Sequence, residues 1–271
     1  MCKSVSKQPE PVHVKVQTTM NELGIRAKRS IAPMKTSWEF VPESRFGFWF
    51  LGTRTWERHV VKDTLNDLVR LIDTPHASYP VVLDVGCGQG MAFRLLSETF
   101  YPQRLIGVDA DARSLERAQR IAVHGKLPVT LLKGDCAALP IQEAHVDLVF
   151  CHQTFHHLVH QQEALAEFYR VLKPGGLLLF AESTRAYICT WLIRFLFRHP
   201  MEVQKSAQEY LEMIRQTGFV FDRSKVLLPY LWWSRAKLQG IFELLRLRRV
   251  SPPGQRDETL VYLVAVKPES R

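Results

Sequence analysis

Two spacings of apolar residues alternate along this chain. Over residues 56–73, WERHVVKDTLNDLVRLID, the positions Val60, Val61, Leu65, Leu68, Leu71 and Ile72 recur three and four apart, which predicts an amphipathic helix. From residue 80 short apolar runs take over, at 80–85, 104–108, 128–132, 146–151 and 176–182, and these predict strands. Helical spacing returns between them at 90–99, 113–124 and 161–172. Strands interleaved with helices predict an α/β fold, a doubly wound and mostly parallel sheet covered on both faces. Such a sheet binds ligands at the carboxyl ends of its strands.

The flanks follow neither rule. Residues 1–40 are polar, contain Pro9 and Pro11 and hold no period, so they are expected to form a flexible basic tail ahead of a single domain over 41–271, with its core at 80–182. The stretch WEFVPESRFGFWFLGTRTW is unusually aromatic for a loop and is expected either to pack as a cap or to wall the substrate site. Two late segments read as helical lid or insert elements. AYICTWLIRFLFRHP at 186–200 is apolar nearly all round, with Arg194 and Arg198 one turn apart. Within 230–250, Trp232 and Trp233 precede Leu238, Ile241, Phe242 and Leu245 at helical spacing.

Composition narrows the class. A chain of 271 residues can bury one full core. Five cysteines without CxxC pairs read as reduced thiols in a reducing compartment. The first twenty residues lack the apolar core of a secretory signal, and no apolar run reaches the roughly 18–20 residues of a membrane span. A cytoplasmic protein, peripheral at most to the inner face of a membrane, is therefore expected. The net charge of +9 is unevenly placed: seven Lys/Arg face three Asp/Glu over 1–40, and twelve face five over 185–250. Basic clusters attract phosphates of nucleic acid or of anionic lipid, although a solvated surface has the same composition.

The chemistry centres on VVLDVGCGQG, an apolar strand running into three glycines. A dinucleotide fingerprint needs its third glycine at position 91, where this chain has Met. The glycines fall instead at 86, 88 and 90, with Asp84 two residues before the first. Gly86, Gly88 and Gly90 let the backbone approach a ligand and turn into a helix. A carboxylate beside them suits a cationic amino group, which favours S-adenosylmethionine (SAM) over a dinucleotide. In LIGVDADARSLERAQ, Asp109 ends a strand nineteen residues after Gly90, where a carboxylate can accept both ribose hydroxyls; its other role there is to cap the next helix, which Asp111 could do equally well. In LLKGDCAALP, Asp135 can accept the adenine amino group while the Cys136 N–H donates to a ring nitrogen. The Pro-Gly-Gly of RVLKPGGLLLFAE reads as a structural turn.

LDVGCGQG, GVDADARSLERAQ, GDCAALPIQEAHVDLVFCHQTFHHL and RVLKPGGLLLFAE together resemble class I SAM-dependent methyltransferases, most closely the small-molecule (type 11) branch that includes quinone-biosynthesis enzymes. The resemblance covers about residues 80–182. It implies a seven-stranded sheet whose last strand, here ETLVYLVAVKP at 258–268, is antiparallel. It also implies SAM contacts from Asp84, Gly86, Gly88, Gly90, Asp109, Ala110, Asp135 and Cys136, with the Cys151–His152–Gln153 stretch under the methionine and sulfonium.

Methyl transfer from a sulfonium needs alignment above all, and a base only where the acceptor must lose a proton. CHQTFHHLVH offers His152, His156, His157 and His160, of which His152 and His156 follow the strand end and are the candidate bases; Glu182 is a weaker one. Packing or capping within the fold is the alternative role for these histidines. They look ligand-like, yet acidic partners are missing and the reaction needs no metal, so none is expected. After the fourth strand there is neither an Asn/Asp-Pro-Pro-Tyr nor a Pro-Cys stretch, so a nucleic-acid partner is not expected. The late apolar and basic segments suggest a small hydrophobic acceptor, lipid- or quinol-like, reached from an anionic membrane surface. Lid packing or a homodimer interface are the competing roles for those segments. An RNA methyltransferase using the basic patches and a non-catalytic SAM-binding scaffold remain the alternatives in function.

Overall fold

Val81–Val85 (β1), Arg104–Asp109 (β2), Val129–Lys133 (β3), Val146–His152 (β4), Leu172–Ser183 (β5), Val226–Leu227 (β6) and Leu260–Val266 (β7) form one sheet in the order β3-β2-β1-β4-β5-β7-β6. The computed structural model describes residues 41–73, 79–234 and 239–269, so the expected tail at 1–40 lies outside the described residues. The first five strands pair in parallel, and β7 runs antiparallel to both β5 and β6. From β1 the chain winds outward through β2 and β3, then returns to lay β4 on the other side of β1. The carboxyl ends of β1 and β4 therefore part, and a crevice opens where the strand order reverses.

Successive residues of a strand point to opposite faces, and here both faces are dry. Leu83, Val149, Leu178 and Phe180 pack with Leu165, Phe168, Tyr210 and Ile214 on one side. Val82, Leu148, Phe150 and Leu179 pack with Leu65, Leu68, Phe93, Leu96 and Ala118 on the other. The helices that cover the sheet are Lys62–Arg70 (α3), Phe93–Phe100 (α4), Ala112–His124 (α5), Gln161–Val171 (α6) and Ala207–Gln216 (α9). The predicted helix at 56–73 begins as a π-helical turn at Glu57–Val61 before α3, and it buries Val61, Thr64, Leu65 and Leu68. Asp111 caps α5, its Oδ1 accepting from the Arg113 N–H at 3.0 Å. Asp109 is thereby free of the capping role that it shared with Asp111 in the sequence.

Three expectations need correction. The Pro-Gly-Gly stretch is no turn but lies inside β5: Val146 pairs with Leu172 and Leu148 with Leu177, so the four residues 173–176 of β5 bulge opposite Asp147 of β4, with Gly175 at φ +77°. The segment 186–200 breaks at Cys189–Thr190 into two short helices, Arg185–Ile188 (α7) and Trp191–Leu196 (α8). Within 230–250, only a 3₁₀ turn at Trp232–Ser234 and Gln239–Leu244 (α10) are regular among the described residues. Helix α9, absent from the pattern read above, carries a capping box in which Ser206 and Glu209 satisfy each other's backbone N–H.

Candidate functional site

The crevice is a cleft of about 1070 Å³, open solvent included, lined by Gly86, Gly88, Asp109, Ala110, Asp135, Cys136 and Thr154 among others. Four strand ends, those of β1 to β4, thus converge on it. Gly88 sits at φ +53°, and a Cβ built on it would meet nothing within 4 Å, so its bare backbone faces open space. A ligand can come closer there than any side chain would allow. Gly90 stands back from the cleft, and its job is packing: at φ +80°, an added Cβ would lie 2.6 Å from the Phe93 ring and 3.1 Å from Ala118 Cα. Gly90→Ala is accordingly expected to cost about 2–4 kcal/mol of stability through strain and overpacking. A guanidinium unfolding midpoint equal to the wild type would disprove that role.

Asp109 closes the loop onto the second strand. Its Oδ2 accepts from the Gly88 N–H and its Oδ1 from the Asp111 N–H, both at 2.8 Å. Burial raises its carboxyl above the ordinary range, opposed by those backbone donors. Asp84 lies beneath the loop rather than on the cleft wall. Burial, reinforced by the charge of Asp109, holds its carboxyl well above normal, and its Oδ2 is buried without a hydrogen-bond partner. Asp135 uses Oδ1 to accept from the Ala137 N–H at 2.9 Å. The Cys136 thiol is pushed far up by burial and is inert beside it.

The histidines divide. His152 at the end of β4 is wedged between Phe150 and Trp56, at ring distances of 5.7 and 5.9 Å. Burial, with the charge of His156 second, drives it down to about 3, and Nε2 finds no partner. So low a value makes it a weak base at neutral pH. His156 is buried as well, its Nδ1 2.6 Å from Glu182 Oε2. Neither lines the cleft, whereas His157 and His160 do. Glu182 is fully buried, and its Oε1 accepts from the backbone N–H groups of Thr154 and Phe155, each at 2.8 Å. It fixes the turn after β4 and lies outside the cleft lining.

Several site residues escaped the sequence reading. Thr154 donates from Oγ1 to the Gly86 carbonyl at 3.1 Å, locking the β4 turn to the glycine loop. The aromatic stretch forms Arg45–Phe50 (α1) and Arg54–Trp56 (α2), and Phe48 and Leu51 wall the cleft. Phe48 is held from both directions: Gln89 Nε2 donates to its carbonyl, and the Arg117 guanidinium lies 4.3 Å from its ring centroid. Glu43, just before α1, also lines the cleft, and burial pushes its carboxyl up to about 7. Only the aromatic crowding of 38–56 hinted at this wall; no motif marks Glu43 or Thr154.

Residues 83–180 match the family described as a methyltransferase domain. A probable SAM-dependent methyltransferase of Mycolicibacterium smegmatis is 34% identical over 140 residues, covering 51% of this chain and 51% of that protein. A fatty-acid O-methyltransferase of the same organism is 28% identical over 134 residues, covering 49% of this chain and 48% of its own length. The chain spans about half the length of the curated relatives it matches. Among solved structures, a chain in the complex of the Haloferax volcanii Trm112 methyltransferase activator with a putative methyltransferase superposes with a TM-score of 0.60. It is 21% identical, covering 83% of this chain and 94% of that one. Residues 83–180 therefore match a methyltransferase domain, and the likeness to the solved structure shows a shared fold.

Proposed function

We propose that this protein transfers the SAM methyl group to a small hydrophobic, lipid-like acceptor at an anionic membrane surface. The residues fit the cofactor: an open backbone edge at Gly88, a carboxylate pair at Asp109 and Asp135, and an unpartnered buried oxygen on Asp84. SAM would supply an already activated methyl. The chain's part is to hold the ribose at Asp109 and the adenine at Asp135 and Cys136, and to wall out water with Phe48 and Leu51. The ring of His152, held neutral, packs beside this site as an uncharged wall. With both candidate bases set back from the cleft, an acceptor that is already anionic suits it best, as a carboxylate is at neutral pH. The fatty-acid O-methyltransferase relative points to the same acceptor chemistry.

One observation carries the membrane reading. On α8, Trp191 and Phe195 are 79% and 80% exposed, and Arg194 beside them is exposed too. Large apolar side chains bared around a cation are the composition of an interfacial helix. This helix also adjoins the cleft wall, since Phe197 stacks edge-on against Phe46 of α1 at 5.8 Å and Ser44 donates to the Leu196 carbonyl. Among the described residues no helix is long and apolar enough to cross a membrane.

Wild-type protein is expected to sediment with anionic vesicles, and the double variant Trp191→Ser/Phe195→Ser to partition at least about 10-fold less, since each ring contributes roughly 1.5–3 kcal/mol when buried. Mass spectrometry of a lipid extract incubated with SAM and enzyme should show a product heavier by one methyl. Methylation confined to water-soluble metabolites or RNA, with no vesicle association, would sink the proposal.

A further inference from the structure

Three imidazoles from two distant stretches of the chain meet beside the cleft. His156 and His157 belong to the 3₁₀ turn Phe155–His157, and His199 follows α8. Each offers one ring nitrogen, and the three nitrogens lie within 4.8 Å of one another. The ring centroids are 4.3, 5.1 and 4.7 Å apart for the pairs 156–157, 156–199 and 157–199. A carboxylate stands beside the group, Glu43 Oε1 lying 3.9 Å from His157 Nε2. The acidic partner that the sequence of CHQTFHHLVH lacked is thus brought in from more than a hundred residues upstream.

The surroundings orient these rings. His156 Nδ1–H donates to Glu182 Oε2 at 2.6 Å, which leaves Nε2 as the nitrogen that can ligate. A carboxylate behind the far nitrogen of an imidazole is the arrangement that aims metal-bound histidines and raises their basicity. Gln204 is buried, and its Nε2 donates at 2.8 Å to the carbonyls of both His156 and Pro200, fastening the loop of His199 to the turn of His156. The facing atoms, by contrast, are left over. His199 Nδ1 is buried and makes no hydrogen bond, and the Glu43 oxygens have no side-chain hydrogen-bond partner. A cluster built only for packing would have satisfied them.

We infer that Glu43, His156, His157 and His199 form a four-coordinate site for a divalent transition-metal ion of the zinc class. Three imidazoles and one carboxylate are a donor set that such an ion prefers. Bonds of about 2.0–2.1 Å hold ligand nitrogens about 3.3 Å apart, so closing the separations among the three imidazoles takes side-chain movements of at most about 1.5 Å. The ion ties the segment before α1 to the turn after β4 and to the loop after α8. Because Glu43 and His157 also line the cleft, it sits in the cleft wall.

The test is a titration of the full chain, stripped with a chelator, with Co²⁺ and then Zn²⁺. One equivalent of Co²⁺ is expected to produce the intense visible absorption of tetrahedral cobalt, and Zn²⁺ to abolish it. His199→Gln should lower Co²⁺ affinity at least about 100-fold, the upper end of what losing even an outer partner costs, with circular dichroism and SAM affinity unchanged. Glu43→Gln should lower it about 10-fold, and His124→Gln, at the exposed end of α5, should leave it as it was. If His199→Gln misfolds, Glu43→Gln decides alone. No band at saturating Co²⁺, a weak octahedral spectrum, or an affinity that the cluster variants leave unchanged overturns the assignment.

Discussion

Asp109→Ala is expected to weaken SAM binding at least about 100-fold, because the variant loses two charge-assisted acceptors worth roughly 1.5–3 kcal/mol each. The same carboxylate serves two partners at once. It holds the glycine loop through the Gly88 N–H and the start of α5 through the Asp111 N–H, and its remaining lone pairs are free for the ribose hydroxyls. Asp109→Asn separates these duties. One amide oxygen can still accept from one of the two backbone donors, but the charge is gone, so an intermediate loss of affinity is expected together with near-normal folding. Calorimetry on the two variants measures this directly. SAM affinity unchanged in Asp109→Ala would show that the ribose lies elsewhere and that Asp109 serves the loop alone.

The largest loss of stability is expected at Glu182. Its carboxylate is fully buried and receives the N–H groups of Thr154 and Phe155 and the Nδ1 of His156, while the Cys151 thiol points at it from 3.6 Å. Alanine there leaves three donors buried without an acceptor, at roughly 1–3 kcal/mol apiece after partial relaxation. Glu182→Ala should therefore destabilise the domain by about 4 kcal/mol, a fall of about 10 °C in Tm for a protein of this size. SAM affinity should fall with it, since Thr154 anchors the turn to Gly86. Glu182→Gln keeps one oxygen for the backbone pair and should lose about half as much. A thermal midpoint within a degree or two of the wild type in Glu182→Ala would refute this account of the turn.

The inner parallel strands could be read from the sequence because they are buried on both faces and so spell mostly apolar runs, as in VVLDV and VDLVFC. The glycine loop and the strand-ending aspartates were legible for a local reason: their roles depend on backbone conformation and on position within a few residues of a strand end. What stayed hidden depends on contacts across the chain. Glu43 meets His157, and Gln89 meets Phe48 and Arg117, only once the sheet has folded. His152 and His156 looked equivalent in sequence, yet one is wedged between aromatic rings and the other is paired with Glu182. The late helices misled because an apolar run all round gives no phase, and Cys189–Thr190 offered no strong breaker to mark the interruption. Helix α9 did announce itself in the spacing Ser206-x-x-Glu209, a signal that needs no tertiary contact.

The placement of β7 has a bearing on synthesis. Among the described residues, strand β6 pairs with nothing but β7, and β7 is the only neighbour of β5 on that side. Until residues 260–266 have left the ribosome, the inner strand β5 is an open edge along Leu177–Ser183, five of whose seven residues are apolar. A nascent chain stalled just short of that point would hold the glycine loop and every strand end of the cleft, yet would offer its neighbours a bare template for pairing. Chaperone dependence and inclusion-body formation should therefore rise steeply for chains truncated between β6 and β7.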